Sequence, residues 1–225
     1  MLQNISKIGK ILKAANRVNF VEFNSTLPVK MKVLKEINPI TYKIQLGNRE
    51  VETKSYVPLE IGKKYLAQIK ESKNKLEIKN LREYPKLLDE LEKVEIKKEL
   101  THYTKDEILK HLQNAKNKDE FMFFANLLLA YQKNIKHLTI NQENKKALMQ
   151  YKFKKNKVTF YAVFSNLAEV SGEIYPNRAI IYSPYENVIA LLKNYKDLID
   201  LEVEIYKKEP KPLYEFQQSL LDLKA

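Results

Sequence analysis

Residues 157–207 constrain the fold more than any other stretch. They read VTFYAVFSNLAEVSGEIY, then AIIY beyond Pro176-Asn177, then PYENVIALLKNY, then LEVEIY. The first two segments and the last alternate apolar with polar residues, the period of a strand, whereas the third repeats at helical spacing. The order predicted is strand, strand, strand, helix, strand. Pro184 opens the helix at its first turn, where a missing N–H costs nothing, with Ser183 as its cap and Glu186 three residues on. Val188, Leu191, Leu192 and Tyr195 then face the sheet, and 200–206 is the closing strand. A hairpin of 148–153 with 158–164, turning at 154–157, leads in. The tail KPLYEFQQSLLDLKA reads as a last helix on Leu213, Phe216, Leu220 and Leu223.

Upstream the period changes twice. VKMKVLKEI puts Val29, Met31 and Val33 on one face, and ITYKIQL does the same with Ile40, Tyr42, Ile44 and Leu46 before a Gly47-Asn48 turn. REVETKSYV, YLAQIKE and KLEIKNL complete five short antiparallel strands, with a bend at Pro58-Leu59-Glu60-Ile61-Gly62. A small barrel over 29–82 follows. Residues 83–135 are helical in period. Leu87, Leu88, Leu91 and Val94 form one stripe, Thr104 with Glu107 has capping-box spacing, and FMFFANLLLAY is apolar around most of its circumference. Residues 1–28 form a frayed arm or a short amphipathic helix on Leu2, Ile5, Ile8, Ile11 and Leu12, weakened by Gly9. The expected class is α+β: a small N-terminal antiparallel β-barrel, a helical connector at 83–135, and a C-terminal β-β-β-α-β domain at 136–225.

Charge is uneven. The net is +12, yet residues 1–82 carry 17 Lys and Arg against 7 Asp and Glu, and residues 83–225 carry 23 against 21. A basic barrel with aromatic side chains over a positive groove is a way to hold single-stranded nucleic acid. The residues for it are Tyr42, Lys43, Lys54, Tyr56, Lys63, Lys64 and Arg82, with Tyr65 beside them. The plainer reading is that the three tyrosines point inward and that Lys is the default surface residue of this chain.

Reactive chemistry is sparse. Cysteine is absent, which removes disulfides and thiolate ligands and fits a reducing compartment. His102 and His111 are nine residues apart, not the four of a helical metal pair, and His137 lies further on. Four glycines leave no phosphate-cradling loop. Glu169 and Glu173 share a strand face, but nothing marks them as an acid–base pair. No catalytic residue, cofactor or metal is expected. No apolar run reaches the roughly 18 residues of a membrane span, and Lys7, Lys10, Lys13 and Arg17 interrupt the N-terminus as a signal peptide would not allow. The expected place is the cytoplasm, or export by a route without a cleaved signal.

The pattern at 157–207 resembles the C-terminal domain of the flagellar hook-length control family. Leu167, Glu169, Val170 and Glu173 stand in the order expected of its first segment, and the leucine-repeated helix and final alternating strand follow. ITYKIQLGNREVETKS and PLEIG are similar to the small barrel of related proteins. The long Pro/Gln/Ser-rich ruler region of that family is missing, so the resemblance is to a shortened relative. It implies a non-enzymatic binding factor that contacts the cytoplasmic domain of the flagellar export gate in substrate switching. The helix at 184–195, with Tyr185, Asn187, Lys193 and Tyr195, or an open sheet edge, is the expected contact surface. Single-stranded nucleic acid on the basic barrel is the alternative, and a membrane-surface role for residues 1–17 a third.

Overall fold

The computed structural model describes residues 27–72, 75–142, 145–198 and 200–217. The expected arm or helix at the N-terminus, apart from residues 27 and 28, lies outside them, as do Leu220 and Leu223. The described chain is mixed α+β, with four α-helices and twelve strands in two sheets.

The first sheet holds β1 (Val29–Asn38), β2 (Thr41–Leu46), β3 (Arg49–Lys54), β4 (Lys64–Ser72) and β5 (Lys75–Glu83). Neighbours run β1-β2-β3-β5-β4, and β4 pairs with β1. Gly47 turns β2 into β3 at φ +57°, and Gly62 sits at φ +85° in the bend. Met31, Val33, Tyr42, Ile44, Tyr65 and Ile69 fill the interior. An all-antiparallel barrel of five strands is impossible, because an odd number of strands in a ring must place two in the same direction. Here those two are β3 and β5, which run parallel and share a single residue pair, Lys54 with Glu77. The sheet is therefore barrel-like, with one seam sewn by a single pair instead of a ladder. The chain reaches β4 by crossing one end of the sheet through residues 55–63, where Leu59 turns inward and Tyr65 Oη accepts from the Glu60 N–H.

The second sheet orders β6 (Leu100–His102), β7 (Lys136–Gln142), β8 (Lys145–Lys154), β9 (Lys157–Phe164), β10 (Ala168–Ile174) and β11 (Arg178–Ser183) as an antiparallel meander. It ends in β12 (Glu202–Lys207), parallel to β11. The helices are α1 (Lys86–Glu92), α2 (Lys105–Gln113), α3 (Lys118–Gln132) and α4 (Glu186–Asn194), with a 3-10 turn at Lys196–Leu198. The strand, strand, strand, helix, strand order of 157–207 is thus present, with β12 starting two residues later than expected.

Period-two patterning dictates two different faces. On one, Met149, Phe160, Ala162, Val170 and Ile181 are buried, and α4 covers β11 and β12 there with Val188 and Leu192. The other carries His137, Thr139, Gln150, Tyr161 and Glu169. On this second face Lys146 reaches across to the turn after α1, donating to the Val94 carbonyl at 2.6 Å, and Tyr103 Oη lies 3.2 Å from Thr139 Oγ1. The helices of 83–135 are therefore no free-standing connector. They pack on the sheet, and β6 lies among them as its edge strand.

Some local expectations shift. Ser183 does not cap α4. Its Oγ accepts from the Tyr185 N–H at 3.3 Å, and the helix starts at Glu186. The expected tail helix is absent over 208–217, where Pro210 and Pro212 remove backbone donors and side chains from the body take up the main chain instead. Ile40, expected inside the barrel, is exposed because it belongs to the β1–β2 turn.

Candidate interaction surfaces

The expected contact helix is only partly available. Tyr185 is 1% exposed and belongs to the main core, because it precedes α4 where the chain dives from β11 under the helix. Asn187 is half-buried, Tyr195 packs against the core, and of the four only Lys193 is exposed. Beyond α4, Leu198 and Tyr206 are exposed, and β12 is an open edge of the seven-stranded sheet.

The nucleic-acid candidates are dispersed. Tyr42 is 2% exposed and Tyr65 is also inside the barrel. Lys43 pairs with Glu50, and Lys63 with Glu60 and Glu83. Lys64 and Arg82 face the other sheet. Lys64 joins Asp89 and Glu92 of α1, and Arg82 donates from Nη1 to Glu209 at 2.6 Å with Glu169 at 3.8 Å from Nη2. Lys30 joins them, 2.6 Å from Glu92, and lies 4.9 Å from the centre of the Tyr84 ring, whose hydroxyl donates to Glu92 at 2.6 Å. Leu66 and Tyr84 supply the apolar part of this junction. Three of the barrel's basic side chains, Lys30, Lys64 and Arg82, thus dock it onto acidic groups of the body. Lys54 and Tyr56 remain exposed, Tyr56 at 88%.

Tyr56 belongs to an apolar surface at one end of the barrel. The Ser55 N–H donates to the Ile40 carbonyl, so Tyr56 and Val57 leave β3 beside the β1–β2 turn, and the bend returns along β1 to the Gly62 N–H bond with Val33. Ile37, Ile40, Tyr56, Val57 and Ile61 are all exposed along this path. A run of exposed apolar side chains along one path is uncommon on a chain that meets nothing.

The two carboxylates singled out on β10 have opposite environments. Burial pushes the Glu169 carboxyl up, offset in part by the Tyr161 hydroxyl at 2.6 Å and by Arg82. The Lys157 and Tyr175 hydrogen bonds hold Glu173 down. Four residues along a strand set them roughly 13 Å apart, wider than the carboxylate pairs of glycosidases. The histidines do not converge. His111 stacks on Phe124 beside a shallow cleft lined by Lys98, Glu107, Lys110 and Asn114, and His137 is buried on the other side of the helical layer. Among the described residues no group of three His, Cys, Asp or Glu side chains is placed to hold a metal, and no helix is long and apolar enough to cross a membrane.

One polar cluster escaped the sequence reading. Asn126 on α3 and Gln150 on β8 are buried amides that both grip the main chain of residues 213–217. Gln150 Nε2 donates to the Tyr214 carbonyl at 2.8 Å, and its Oε1 accepts from the N–H groups of Leu213 and Tyr214 at 3.0 and 3.1 Å. Asn126 Oδ1 accepts from the Gln217 N–H at 2.7 Å, and its Nδ2 donates to the Gln217 carbonyl at 3.0 Å. Tyr214 is buried with Ala130 and Ile135, and Phe216 stands edge-on to Phe123 and His137. The signal in the sequence was a lone amide inside an apolar run, in FFANLLL and in ALMQY.

Comparison with family models, with curated proteins and with solved structures finds no match.

Proposed function

We propose that this chain is a non-enzymatic protein-binding factor, and that it works as a shortened, ruler-less relative of the hook-length control proteins in contact with the cytoplasmic domain of the flagellar export gate. The observation that carries the binding reading is the exposed apolar end of the barrel, Ile37, Ile40, Tyr56, Val57 and Ile61. The setting rests on the resemblance of 157–207 and 40–70. A second reading, single-stranded nucleic acid, keeps Lys54 and the outward Tyr56, but most of its other cations are engaged with carboxylates.

The test is calorimetric titration of the purified chain with the purified gate domain. Saturable binding is expected, weakened at least ten-fold by Ile40→Glu with Val57→Glu, two exposed positions whose exchange leaves the fold intact. A deletion strain is expected to show altered hook length. No heat of binding together with normal hooks overturns the export reading. Salt-sensitive binding of a labelled single-stranded oligonucleotide, measured by anisotropy, would put nucleic acid in its place.

A further inference from the structure

The cleft between α3 and the β7–β8 hairpin reads main chain. A primary amide that donates to a carbonyl and accepts from an N–H of the same residue recognises backbone whatever side chain the residue carries. Asn126 does this at Gln217 and Gln150 does it at Tyr214. Only the aromatic pair two residues apart, Tyr214 and Phe216, with Leu213 beside it, adds side-chain contacts.

Burying Asn126, Gln150 and His137 costs free energy that their hydrogen bonds only repay. Residues 213–217 also belong to no strand ladder. They arrive through a link containing Pro210 and Pro212, anchored at its start by Glu209 on Arg82. The segment can lift away without opening either sheet.

We propose that this cleft is a peptide-binding groove, that residues 213–217 are its built-in ligand, and that an extended segment of another protein with two large apolar side chains two residues apart displaces them. This does not depend on the export reading. The groove shares no residue with the apolar surface of the barrel, and failure of either test leaves the other standing. A tethered ligand competes at an effective concentration near millimolar, so the wild-type groove is masked.

The experiment uses the full chain and a fluorescein-labelled peptide of residues 208–217. Tyr214→Ser with Phe216→Ser frees the groove, and the variant is expected to bind the peptide at least ten-fold more tightly than wild type. Adding Asn126→Ala is expected to reverse that gain. A folded release variant that binds no better than wild type overturns the proposal. Should the release variant lose its folded circular-dichroism signal, hydrogen exchange on the wild type decides. The Tyr214 and Gln217 amides are expected to exchange at least ten-fold faster than those of β8 and β9, and faster still in excess unlabelled peptide. Equal rates make the tail an inseparable part of the core and end the proposal.

Discussion

His137 carries its imidazole fully inside the protein, 3.4 Å from Gln150 Nε2 and against the Phe216 ring. Burial pushes its pKa from 6.5 down to about 3. The unfolded chain therefore binds a proton between these values that the folded chain refuses, and stability is lost as pH falls through this window. Relative to His137→Gln, the wild type is expected to lose stability progressively as pH falls from 6.5 toward 3. Urea unfolding of both proteins across that range measures it, and parallel profiles would refute it. The site around His137 was illegible in the sequence for a physical reason. Periodicity averages over a window, so the apolar neighbours of Asn126 and Gln150 outvote the two amides that matter. Tyr185 failed in the opposite sense, since a residue at a helix start looks exposed until the strand before it is seen to enter the core.

Elements announced by local chemistry were readable. The capping box of α2 forms, with the Glu107 N–H donating to Thr104 Oγ1 and the Thr104 N–H to Glu107. The strands β6 and β7 were not readable. β6 spans only three residues, too few to show a period, and KHLTINQ mixes polar residues into a strand buried on both faces. The α3 terminus is also set locally. Asn134 lies at φ +58°, its N–H donates to the Tyr131 carbonyl, and the Ile135 N–H donates to the Ala130 carbonyl, the bonding pattern of a Schellman end. Asn134→Gly is expected to stabilise by up to about 1 kcal/mol and Asn134→Val to destabilise by a similar amount, both read from thermal melts. Gly172 is a stricter position. A Cβ there would stand 2.1 Å from the Ile180 carbonyl oxygen and 2.7 Å from the Phe160 ring. Gly172→Ala is expected to cost about 3 kcal/mol or more, since backbone and a buried ring must both move, and denaturant titration would show it as a lower midpoint.

At the scale of the whole molecule, part of the barrel's positive charge is used inside the chain. Lys30, Lys64 and Arg82 of the barrel meet Asp89, Glu92, Glu169 and Glu209 of the body around Leu66 and Tyr84. Partly exposed pairs of this kind contribute little each, about 0–1 kcal/mol, so the apolar contacts carry the junction. Leu66→Ala is expected to cost about 2–5 kcal/mol and to speed proteolytic cleavage near Tyr84. Arg82→Ala is expected to cost less in stability but to raise the same cleavage rate, because it frees the link at Glu209. Unchanged cleavage in both would mean that the two sheets are held together elsewhere. The change of period near residue 83 coincides with the end of β5 at Glu83. That Lys64 and Arg82 pair across the junction was not legible, since partners 25 to 127 residues apart leave no local trace. The meander has a different consequence, in time. β6 to β11 pair in sequence order, so most of the large sheet needs only short loops to close. β12 comes after α4 and pairs in parallel. On a ribosome adding about 5–20 residues per second, β11 waits for seconds as an unprotected margin. The rung that completes the sheet is thus also the point at which a nascent chain is most open to annealing with its neighbour.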